Sequence, residues 1–140
     1  MNFRPIYLIL CVSTIFISVQ QCLAIADSLD MRNQKSSDRI AIAAVGDSVT
    51  SEISERAGRA PYYLIFDGNG DFIKSIKNPS QKQGRRASSG VVDFLVKESV
   101  KTVIAGKFGD KMKKLLKTNK IEFHQQTGIV IEVVDELIEK

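Results

Sequence analysis

Arg56, Arg59, Arg85 and Arg86, with a few small hydrogen-bonding residues near them, are the parts of this chain best equipped for chemistry. Arg56 and Arg59 bracket Ala57-Gly58 just ahead of Ala60-Pro61, and Arg85-Arg86 precede Ser88-Ser89 in a polar stretch. A guanidinium is a rigid fork of donors that matches an oxyanion two bonds at a time. Hydroxyls and the unpaired N–H groups of a helix start favour the same ligand. Gly106-Lys107-Phe108-Gly109 adds a tight loop carrying one cation, and Asp110 behind it suits the first turn of a helix. The combination predicts an anion-binding cleft. Its candidate contacts are Arg56, Arg59, Arg85, Arg86, Ser88, Ser89, Gly106, Lys107 and Gly109.

Other chemistries find less support. His124 is the single histidine. It is the one imidazole candidate for a metal, and a lone histidine at a strand end reads first as structural. Asp67-Gly68-Asn69-Gly70-Asp71 has oxygens at alternate positions but no downstream Gly and Glu of a calcium loop, so it reads as a hairpin turn. Ser88 and Ser89 lie in no hydrolase motif. A two-metal nuclease needs several converging carboxylates. The run Ile40 to Val45 has none, and Asp93 stands alone. A binding protein is therefore expected, not an enzyme.

Charge is segregated along the chain. Residues 27–73 carry five basic and eight acidic side chains, residues 74–120 thirteen and three, and residues 121–140 one and five. The basic middle block implies an anionic ligand or surface. Its alternative use is nonspecific binding of a polyanion or a membrane surface. Tyr62, Tyr63, Phe72 and Phe108 could stack on bases, but they read as core, and nucleic acid is not expected as a partner.

The elements that must position these residues begin after a separate leader. Met1 to Pro5 is a short positive start, Ile6 to Val19 is apolar and uncharged, and Ala24-Ile25-Ala26 offers a cleavage site, with Cys22-Leu23-Ala24 as a second option. Residues 1–26 read as a signal peptide and imply a periplasmic or secreted protein. An uncleaved segment would be the one contact with a membrane. Cleavage would remove both cysteines, Cys11 and Cys22. Residues 27–38 read as a polar, disordered linker, and residues 39–140 as one domain. Oligomeric state is not legible.

Within the domain, Arg39 to Val45 is a near-continuous apolar strand, as burial on both faces requires. Gly46 to Glu55 is a polar loop. Pro61 to Asp67 and Asp71 to Lys77 form a hairpin, the second strand lying nearer an edge because its alternation is broken. Asn78 to Ser88 is a loop, and Gly90 to Ser99 a helix with Ser88 or Ser89 as its cap. Thr102 to Ala105 is a strand, and a helix runs from Asp110 to near Thr118. Phe108, Met112, Leu115 and Leu116 form its apolar face. Ile121 to His124 is a strand, and Ile129 to Lys140 the last helix. Val92, Phe94, Leu95, Val103, Ile104, Leu115 and Leu116 are the expected core. The order βββαβαβα predicts an α/β fold, a mixed five-stranded sheet with helices on its faces.

Gly58-Arg59-Ala60-Pro61-Tyr62-Tyr63 resembles the G-R-A-P-x-[YF] motif of the dinitrogenase iron–molybdenum cofactor biosynthesis family. The likeness continues through Ile40 to Ala44, Ile104 to Gly109 and Thr127-Gly128, and covers about residues 39–140. The resemblance implies a ribonuclease H-like topology. It also implies binding or carriage of a molybdenum- or iron-containing sulfide cluster. Two departures stand out. Arg56-Ala57 replaces the histidine and aromatic that often precede the motif, and Gln83 to Ser89 replaces a Gly-rich stretch. Both remove potential metal ligands and add positive charge. They imply an anionic cluster or related oxyanion held by guanidinium groups and helix starts.

Overall fold

The computed structural model describes residues 38–140. The leader and nearly all of the linker expected from the sequence lie outside these residues. Five strands form one sheet: β1 (Arg39–Ala44), β2 (Tyr62–Phe66), β3 (Phe72–Lys77), β4 (Val100–Ala105) and β5 (Glu122–Gln125). Three helices follow in the second half, α1 (Ala87–Lys97), α2 (Asp110–Thr118) and α3 (Val130–Ile138). Short 3-10 turns occupy Ala57–Arg59 and Gly84–Arg86. The sheet order is β3-β2-β1-β4-β5. β1 pairs antiparallel with β2, β2 antiparallel with β3, and β1 to β4 and β4 to β5 run parallel. This is the expected mixed α/β sheet with the expected element order.

The central strands are apolar throughout because both of their faces are covered. On one face Ala41, Ala43, Tyr63, Ile65 and Val103 pack with Val91, Val92 and Leu95 of α1 and Met112 and Leu116 of α2. On the other, Ile40, Ile42, Leu64, Phe66 and Ile104 pack with Val130, Val133 and Val134 of α3. β3 forms one edge of the sheet and is largely exposed. Phe72 on it is 47% exposed, so it is not the core residue expected; the edge position leaves its outer side without a neighbour. Of the expected core, Val92, Leu95, Val103, Ile104 and Leu116 are buried, while Phe94 and Leu115 are half-buried against the same cluster.

Several boundaries shift for local reasons. α1 begins at Ala87 because the 3-10 turn before it winds straight into the helix, and no serine side chain caps it. It ends before Ser99, whose φ of 57° is left-handed and closes the helix. Gly46 to Glu55 is more than a surface loop. After a turn, Ser54 donates its amide to the Ala43 carbonyl (2.8 Å) and Ile53 bridges Ala44. This return carries the chain across the carboxyl ends of β1 and β4, where the site lies.

Candidate functional site

The motif turn is held against β4 by backbone. The Gly106 amide donates to the Ser54 carbonyl at 3.0 Å, and the Ala57 amide to the Lys107 carbonyl at 3.0 Å. Arg56 and Lys107 are thereby parallel bridge partners. A side chain at Gly106 would meet the Glu55 Cα at 2.9 Å and its carbonyl oxygen at 3.0 Å. Glycine is needed there for close approach of two backbones, which explains this residue without any ligand. Pro61 and its effect on the preceding residue appear as expected, with Ala60 at φ −55° and ψ 135°.

These contacts open a cleft of about 430 Å³ between the motif turn, the start of α1 and the loop into α2. Arg56, Arg59, Arg85 and Lys107 supply its cations, and Ser88 and Gly109 also line it. Ala57, Gly58, Gly84 and Ala87 complete the wall. Among the described residues the ion pairs are Arg39 with Glu98 (3.3 Å) and Lys74 with Glu98 (2.7 Å). None of the four cleft cations has a carboxylate partner among them. The first turn of α2 has no side-chain cap, and its N-cap residue Gly109 is on the cleft wall. The start of α3 is different. There the Val130 and Ile131 amides donate to the Ser51 and Val49 carbonyls, both at 3.0 Å. Its amides are spent inside the fold, whereas the first amides of α2 have no such backbone partners.

Three of the residues expected in the cleft do not line it. Arg86 is exposed beside Arg85 but outside the wall. The Ser89 hydroxyl donates to the Arg86 carbonyl at 3.1 Å. Gly106 sits behind the wall against Glu55. His124 is exposed on β5 and borders a different depression with Lys117, Lys120 and Glu122. No residue lining the cleft is a cysteine, histidine or carboxylate. Among the described residues no three such side chains come together as a metal site. The donor set fits an anion held by charge and hydrogen bonds, and does not fit a metal ligated through the protein.

Tyr63, expected as core, and Asn78, expected at the start of a loop, support the turn. The Tyr63 hydroxyl donates to the Ala57 carbonyl. The Asn78 carboxamide donates to the Ala60 carbonyl at 2.8 Å and accepts the Ser80 amide at 2.8 Å. The second bond is an Asx turn, and Asn-Pro after a strand is the local signal for one. Nothing local signals the first.

The family model described as dinitrogenase iron-molybdenum cofactor matches residues 38–140. The chain belongs to this family. No curated protein matches it. Among solved structures, the fold is similar to the apo form of the orange protein from Desulfovibrio gigas. That match has a TM-score of 0.69 and 24% identity, covering 73% of this chain and 88% of that one. A candidate NifB protein from Thermotoga, placed in the DUF35 family, matches at TM-score 0.63 and 28% identity over 73% of this chain and 88% of its own. A candidate dinitrogenase from Methanocaldococcus jannaschii matches at TM-score 0.52 and 23% identity over 72% and 88%. The iron–molybdenum cofactor family thus accounts for the whole described domain, with the cationic cleft at its motif turn.

Proposed function

We propose that this protein is a non-enzymatic carrier that holds an anionic metal–sulfur cluster, or a related oxyanion, in the cleft between the motif turn and the start of α2. One observation carries the reading: Arg56, Arg59, Arg85 and Lys107 line a single cleft that contains no carboxylate. Four like charges held together repel one another, and an anion relieves that repulsion. The family description names an iron–molybdenum cofactor, which supports molybdenum and iron as the metals of the cargo. The cluster would arrive assembled, since the cleft offers guanidinium, ammonium, hydroxyl and amide donors but no ligand that bonds a metal. Residues 1–26 add export to this reading, with the cargo met outside the cytoplasm. Intact mass of the purified protein tests that part: a mature chain beginning after Ala24 or Ala26 supports it, and one retaining Met1 refutes it.

A second reading uses the lysines of α2, of which Lys111, Lys114 and Lys117 are exposed. They suit nonspecific contact with a polyanion or membrane surface. Titration with tetrathiomolybdate, molybdate and inorganic polyphosphate at two salt concentrations separates the two. A cleft carrier binds the compact thioanion with a shallow salt dependence, being partly shielded. Equal, steeply salt-dependent binding of all three would leave only the surface reading. Elemental analysis of protein purified without chelators then identifies the metal.

A further inference from the structure

The motif turn carries two of the four cleft cations, yet it is weakly built on its own. It is one 3-10 turn, closed by the Arg59 amide to the Arg56 carbonyl at 3.2 Å and the Ala60 amide to the Ala57 carbonyl at 3.4 Å. The bonds of a 3-10 turn have poorer geometry than those of an α-helix, and the second is long. What else touches the turn therefore matters.

We propose that Tyr63 and Asn78 are positioning residues, two buried side chains that hold the Arg56–Arg59 turn in its anion-binding shape without touching the anion. The proposal rests on the reading of the cleft as an anion site. Tyr63 is fully buried on β2, its ring packed among the α1-side core and 5.9 Å from the Phe94 ring centre. Its hydroxyl reaches the Ala57 carbonyl at the start of the turn. Burial pushes this phenol well above its ordinary titration range, so it stays protonated and donating. Asn78 is 4% exposed and follows β3 directly. Its carboxamide donates to the Ala60 carbonyl at 2.8 Å and reaches the Gly58 carbonyl at 3.5 Å. Its own amide donates to the Pro61 carbonyl at 2.8 Å.

The two side chains thus grip the carbonyls at the start of the turn and just past its end, from the core and from the end of the hairpin. Neither lines the cleft. Both anchors stand on β-structure that the sheet makes rigid. The Ala57–Lys107 backbone bond still ties the start of the turn to β4, but loss of either side chain loosens the rest, and Arg59 samples other positions. The apparent dissociation constant then rises as the competent fraction falls.

The test uses Tyr63→Phe, which keeps the ring, and Asn78→Ala, with Val134→Ala as a control. Val134 is a fully buried residue of α3, packed on the opposite face of the sheet. Calorimetric titration with tetrathiomolybdate should show roughly fivefold weaker binding for Tyr63→Phe, the factor carried by one ordinary hydrogen bond. Asn78→Ala should lose about tenfold, since more than one bond goes. Val134→Ala should lower the unfolding temperature and leave affinity unchanged. Hydrogen exchange of the free proteins should show faster exchange at the Arg59 amide in Tyr63→Phe, with the α3 amides unaffected. Unchanged exchange at the turn overturns the proposal, as does an affinity loss shared by Val134→Ala. If the wild type binds no thioanion, the anion reading of the cleft falls, and exchange alone decides whether these side chains hold the turn.

Discussion

Arg56 and Lys107 are parallel bridge partners, locked by the Ala57 amide on the Lys107 carbonyl at 3.0 Å. Two cations from loops distant in sequence are therefore set side by side by main chain, not by their own side chains. Their approach is unfavourable until an anion lies between them, and the backbone bond maintains it regardless.

Arginines of the cleft should separate from the arginine beside it. Arg59→Ala combined with Arg85→Ala should weaken tetrathiomolybdate binding by about 3–6 kcal/mol, counting one charge-assisted hydrogen bond for each. Arg86→Ala should bind as the wild type does, because Arg86 is exposed outside the cleft wall. Isothermal titration of the three proteins checks this. An Arg86 effect as large as the double change would point to diffuse surface charge.

The two glycines of the β4–α2 loop should behave differently. Gly106→Ala drives a methyl into the Glu55 backbone and should cost about 1–3 kcal/mol, with the Arg56–Lys107 bridge displaced. Gly109→Ala meets nothing within 4 Å at an ordinary φ of −72° and should leave stability nearly unchanged. Urea midpoints distinguish them, and equal losses would contradict the close approach at Gly106.

Neighbouring leucines on α2 offer a similar contrast. Leu116 is fully buried, and Leu116→Ala should cost about 2–5 kcal/mol. Leu115 is half-buried, so Leu115→Ala should cost clearly less, about 1–2 kcal/mol. Denaturant unfolding of both variants measures the difference, and a reversed order would mean that the helix is rotated.

Alkaline pH should destabilise the wild type through Tyr63. The folded phenol titrates higher than the unfolded one, so the fold holds a proton that the unfolded chain releases. Its contribution is complete below about pH 10 and declines as pH rises further, by at most about 1.4 kcal/mol per pH unit. Urea midpoints of wild type and Tyr63→Phe at pH 8, 10 and 11 should converge with rising pH. Parallel curves would show that the hydroxyl is not buried.

The fold is largely legible in the amino-acid sequence. Ile40-Ala41-Ile42-Ala43-Ala44 has no polar residue to turn toward water, which marks a strand covered on both sides, and it is the central strand β1. Arg56, Arg59, Arg85 and Lys107 were legible as candidates because guanidinium and ammonium groups beside Gly and Pro breaks have few structural uses. Misassignments came where local type and position conflict. Phe72 is aromatic but lies on an edge strand, and Ser89 follows Ser88 in sequence while turning back to the Arg86 carbonyl.

By itself, the amino-acid order determined the element sequence, the two-sided burial of β1, the break at Ala60-Pro61 and the separation of charge into blocks. These follow from periodicity, φ restriction and side-chain type, all of which act over a few residues. Only the tertiary structure decided that Arg85 enters the cleft while Arg86 stays outside, that α2 keeps its first amides while α3 spends its own on Ser51 and Val49, and that Tyr63 holds Ala57. Each of these depends on how far segments sit from one another after the sheet has formed. A hydrogen bond is sensitive to tenths of an ångström, and no pattern along the chain carries distances between segments that close.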